Sequence, residues 1–86
     1  MKVRRAAMTD RFVDDGESVV LVDHMVVRLS ALPTAILESA ATWTEVADLA
    51  AMLERQFGPP PDGLDAVAAA ERTVRELRDQ GLIECD

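Results

Sequence analysis

The chain has 86 residues and a formal net charge of −7, with one cysteine, one histidine and no tyrosine. That length allows one small domain whose core must draw on nearly every apolar side chain. The acid excess works against phosphate-backbone binding, no apolar run approaches the ~20 residues of a membrane span, and a lone cysteine forms no internal disulfide.

"MKVRRAAMTD" is basic but has no apolar stretch behind it, so no signal peptide is expected, and the expected location is cytoplasmic. A first strand is expected somewhere in residues 3 to 13. "DDGES" (Asp14 to Ser18) then turns the chain, with Gly16 available for positive φ. In "VVLVDHMVVRLS", Val19 to Val22 and Met25 to Leu29 have the β-branched chemistry of strands around an Asp23-His24 turn. The usual glycine is missing from that turn, which leaves a longer loop open. An even loop pairs Val22 with Met25 and Val20 with Val27 on one face, leaving Val19, Leu21, Val26 and Arg28 on the other. Helices packed on one side cover the first set and leave the second uncovered.

Three helices are expected next. Ser30 reads as N-cap of "ALPTAILESAA", whose stripe is Ala31, Leu32, Ala35, Ile36 and Ala40. "TWTE" (Thr42 to Glu45) reads as a capping box, followed by Val46, Leu49, Ala50, Leu53 and Phe57 at helical spacing. "GPPPDG" (Gly58 to Gly63) stops that helix, and a last one runs from about Leu64 to Gln80 with Val67, Ala70, Val74 and Leu77 inward. Gly81 ends it, and Leu82 to Glu84 form a short extended tail. The expected fold is one α+β domain over residues 1–86: a three-stranded antiparallel sheet, then three helices, winged helix-turn-helix-like.

Catalytic chemistry finds little support. His24 sits beside Asp23 in a turn with no nucleophile elbow or second relay member evident. Cys85 is flanked by Glu84 and Asp86, the opposite of the positive surroundings a reactive thiolate needs. One cysteine and one histidine far apart make no metal site, and the scattered glycines make no phosphate cradle. Neither an enzyme nor a cofactor is expected.

Two binding readings compete. In a DNA reader, Arg72, Arg75 and Arg78 of the last helix would meet phosphates, but Glu71, Glu76 and Asp79 interleave with them. In the other reading, Met25, Val26, Val27, Arg28 and Leu29 form an edge strand that captures an extended peptide. Leu64, Ala68, Glu71, Arg75 and Arg78, the shoulder of the last helix, then wall a groove beside it. Val26 or Val27 presents its N–H outward, depending on the turn. Alternatively the valines pack on the first strand or on a second copy, and a homodimer stays open.

"VVLVDHMVVRLSALPTAILESA", "TWTEVADLAAMLERQFG" and "AAAERTVRELRDQGLIE" together resemble the PqqD family, over roughly Val3 to Glu84. The resemblance lies in order and spacing; the Asp23-His24 turn and the triple proline depart from the pattern. It implies a RiPP recognition element: a non-catalytic carrier of the leader segment of a ribosomally made precursor peptide. The leader lies as an added strand against Met25 to Leu29 beside the last helix. Implied partners are that peptide and a maturation enzyme, such as a radical SAM protein, a cyclase or a leader peptidase, with no nucleic acid and no membrane. The alternative is a winged-helix DNA-binding or regulatory dimerisation domain.

Overall fold

The computed structural model describes residues 1–7 and 10–86. In chain order the elements are β1 (Lys2–Arg5), β2 (Asp10–Asp14), β3 (Glu17–Val22), β4 (Met25–Leu29), α1 (Ala31–Ser39), β5 (Thr44–Glu45), α2 (Val46–Phe57), a 3₁₀ turn (Pro61–Gly63), α3 (Ala66–Asp79) and β6 (Ile83–Cys85). The fold is α+β, with three helices and two small antiparallel three-stranded sheets, ordered β2-β3-β4 and β5-β1-β6. Among the described residues, no helix is long and apolar enough to cross a membrane.

The β2-β3-β4 meander follows from its turns. Asp15 and Gly16 (φ 52° and 79°), then Asp23 and His24 (φ 48° and 69°), all lie in the left-handed region. Two consecutive positive φ values in a two-residue loop make a type I′ turn, whose twist matches that of paired strands. Asp-Gly is a favoured pair for it. Asp23-His24 reaches the same geometry without glycine, so the longer loop left open by the sequence does not form. Val22 pairs with Met25, Leu21 with Val26, Val20 with Val27 and Val19 with Arg28, the expected register.

The single sheet expected from the sequence is corrected to two. The lone first strand over residues 3 to 13 is instead β1 and β2, in different sheets, with residues 8 and 9 outside the described residues. The Leu82 to Glu84 tail becomes β6, pairing Ile83 with Arg5 and Cys85 with Val3. The capping box at Thr42 to Glu45 does not form. Thr44 and Glu45 pair with Val3 and Lys2, and Glu45 is the N-cap of α2 with no side-chain bond. The Met1 carbonyl accepts from the Val46 amide at 3.0 Å, so strand pairing places a main-chain acceptor at the start of α2.

Ser30 occupies the N-cap position of α1 but makes no side-chain cap bond; its carbonyl accepts from the Thr34 amide at 3.1 Å. The last helix starts at Ala66 rather than Leu64, because the 3₁₀ turn intervenes and Asp65 caps it, Oδ2 accepting from the Ala68 amide at 3.0 Å.

The core lies between the helices and the two sheets. Ile36, Ala40, Val46, Leu49, Ala50, Leu53, Ala70, Val74 and Leu77 are buried as expected, joined by Val3, Val20, Leu29, Leu37, Leu82 and Ile83. Phe57 stays 41% exposed, and Leu32, Ala35 and Val67 are only partly buried. α2 packs on α3, and α1 packs on both helices and on β3 and β4.

Candidate functional site

β4 pairs with β3 on one side and, among the described residues, with no strand on the other. The type I′ turn decides which of its backbone groups are free. Val22 and Met25 flank that turn and form a hydrogen-bonded pair, after which hydrogen-bonded and non-bonded pairs alternate. Met25, Val27 and Leu29 therefore direct N–H and C=O toward β3. Val26 and Arg28 direct theirs away from the sheet. Phasing from the Asp15-Gly16 turn agrees, since it directs Glu17, Val19 and Leu21 to β2 and frees Ser18, Val20 and Val22 for β4. Of the two residues the sequence left open, Val26 carries the outward N–H.

Side chains divide by alternation. Val20 is fully buried on the inner face, with Val22 and Val27 packed against the core. The outer face carries Val19, Leu21 and Val26 as expected. It also carries Phe12, among the described residues the most exposed large apolar one at 73%, followed by Val26 at 66%. Phe12 pairs with Val19, and Asp14 with Glu17 across the Asp15-Gly16 turn. The Asp-Gly signal was sufficient to place Phe12 on this face, had a two-residue loop been counted back from Val19. Asp10, Asp14 and Glu17 surround these residues, with Arg28 the one cation on this face among the described residues.

An open cleft of about 240 Å³ lies between α1, the C-terminal end of α2, the Gly58–Pro61 segment and α3. Leu32, Leu53, Phe57, Leu64, Ala69 and Thr73 contribute to its walls, with Glu54 and Arg72. Leu32 lies three residues beyond the end of β4, and no residue of β4 itself lines the cleft.

Of the expected shoulder, Leu64 reaches this cleft; Ala68, Glu71, Arg75 and Arg78 do not line it. At 3.6 residues per turn, those four lie on one flank of α3, while Ala66, Ala69, Arg72 and Thr73 lie on the other. Arg75 pairs with Glu71 at 3.1 Å and Arg78 with Asp79 at 3.6 Å. Arg72 is the arginine of α3 that borders the cleft. Helical spacing alone does not say which flank of α3 faces the triple proline, so the peptide-capture reading did not include it.

His24 is exposed in its turn, and Cys85 is half-buried on β6 opposite Val3. Among the described residues, no group of three His, Cys, Asp or Glu side chains could hold a metal ion. The chain matches no family model, no curated protein and no solved structure.

Proposed function

We propose that this chain is a non-catalytic peptide carrier with a winged helix-turn-helix-like arrangement. It binds the leader segment of a ribosomally made precursor peptide as an added strand on β4 and presents it to a maturation enzyme. A radical SAM protein, a cyclase or a leader peptidase fits that role. The observation that carries the reading is the free edge of β4, where Val26 and Arg28 turn their N–H and C=O groups outward. The resemblance of the chain to PqqD-like sequences points the same way.

The energetics are consistent with useful affinity. Two outward residues offer four main-chain hydrogen bonds, each worth about 0.5–1.5 kcal/mol net. Ordering a disordered leader costs about 2–5 kcal/mol, which those bonds alone barely offset. Apolar anchors must therefore supply the remainder, and the cleft lined by Leu32, Phe57 and Leu64 is an apolar receptacle for them. A DNA-reading role gains little from Arg75 and Arg78, which already sit beside carboxylates of their own helix.

The test is an amide NMR titration with a synthetic leader from a precursor peptide encoded beside the gene. The expected result is shifts concentrated on Val26 and Arg28, extending to Leu32 and Leu64, with a dissociation constant at or below the micromolar range. A spectrum unchanged by excess leader overturns the carrier reading.

A further inference from the structure

We infer that two copies of this chain, without peptide, pair antiparallel through β4 about a two-fold axis at Val27, so that the edge covers itself. The competition with leader rests on the carrier reading above; the dimer stands on the geometry of the strand.

The free groups of β4 are symmetric about its centre. The strand has five residues, Val27 is the third, and the outward-facing Val26 and Arg28 flank it. An antiparallel pair centred on Val27 sets Val26 of each copy opposite Arg28 of the other. Both pairs are then hydrogen-bonded, and every outward N–H and C=O of the strand has a partner. Sliding the axis to Val26 pairs Arg28 with the His24 turn; sliding it to Arg28 sets two like charges directly opposite. Val27 is the one centre at which the whole edge closes.

Side chains on both faces fit the same axis. The exposed large apolar residues of β4 are Met25, at 51%, and Val26. Across the two-fold, Met25 meets Leu29 and Val26 meets the aliphatic stem of Arg28. Edge strands that stay single are usually blunted by proline, by charged side chains, lysine above all, by a bulge or by very short length. Within β4 the register runs unbroken from Met25 to Leu29, without proline or lysine, and its one charge points outward. A five-residue strand pair buries far less than the ~1,200 Å² of a stable interface, so association is weak and reversible. The net charge of −7 on each copy opposes it, so added salt strengthens it.

A dimer of this kind hides the groups that take the leader. Occupancy by peptide then falls as the carrier concentration rises, and in the 1:1 complex the outward groups of β4 are paired with the peptide instead of a second copy.

Sedimentation equilibrium from low micromolar to about millimolar protein tests the dimer without any ligand. Val26→Glu places a carboxylate opposite Arg28 twice over, and Val26→Lys places an ammonium there; Val26 is exposed enough for both variants to fold, which circular dichroism checks. The expected result is a monomer–dimer equilibrium that V26E tightens and V26K weakens, each by roughly three- to tenfold. Added leader should convert the dimer to a 1:1 complex. A monomer at every concentration, or shifts of the same sign for both variants, overturns the dimer. A leader that binds a chain monomeric throughout leaves the carrier reading standing and removes this one. The charge pattern without any leader binding does the reverse.

Discussion

The hydroxyls of Ser18 and Thr34 meet at 2.7 Å inside the core, tying β3 to the first turn of α1. Both residues are buried, and Thr34 Oγ1 also lies 3.4 Å from the Leu29 carbonyl, where β4 ends. One polar contact thus joins the strand behind the free edge to the helix that follows it.

Removing one hydroxyl leaves the other buried without its partner, at a cost of about 1–3 kcal/mol. Thr34→Val should destabilise by that much in urea denaturation. The double change Ser18→Ala with Thr34→Val should cost less than the two single changes added together. Strict additivity would show that the contact contributes nothing specific.

Proline scanning reads the edge directly. Val26→Pro removes an N–H that β3 does not use, so the fold should persist while leader affinity falls at least tenfold. Val27→Pro removes a ladder bond to β3 and should cost about 2 kcal/mol or more of stability. Thermal melts and the leader titration on both variants check this, and equal destabilisation by the two would show the phasing to be wrong.

The Asp23-His24 turn holds a histidine at φ 69°. A β-carbon in this region is unfavourable by about 1 kcal/mol, which glycine relieves. His24→Gly should therefore raise the melting temperature by about 4–8 °C without altering the strand register. No gain would mean that His24 makes compensating contacts in solution.

The flanks of α3 differ in what they border. Arg72→Glu, beside the cleft, should weaken binding of an acidic leader by roughly three- to tenfold and spare a neutral one. Arg75→Glu, on the far flank beside Glu71, should change neither. Isothermal titration with the two peptides decides it; greater loss from R75E would restore the shoulder as the peptide wall.

Local signals carried the β3–β4 hairpin and the presence of the three helices. β4 could be read to its end residues because β-branched runs, a two-residue break and a following helix pattern all coincide between Val19 and Ser30. β5 could not. Thr42 to Glu45 has the spacing of a helix start, and its role as a strand depends on β1, some forty residues earlier. The split of the N-terminal segment into β1 and β2 was hidden likewise, since the partners of β1 lie far along the chain. The edge of the candidate site was legible for the same reason as the hairpin, whereas the cleft depends on where the Gly58–Pro61 segment folds against α1 and α3.

β1 reaches across nearly the whole chain, with Val3 opposite Cys85 and Arg4 bound to Glu84 through two hydrogen bonds of 3.0 and 2.7 Å. The hairpins of the other sheet close over two residues each. Closing an eighty-residue loop costs more chain entropy than closing a hairpin, so the β1–β6 ladder should form after the barrier to folding. Truncating its fully buried valine, Val3→Ala, should then speed unfolding and leave the folding rate nearly unchanged. Trp43, whose ring lies 4.8 Å from the Arg4 guanidinium, is a built-in fluorophore for following that last step by stopped flow.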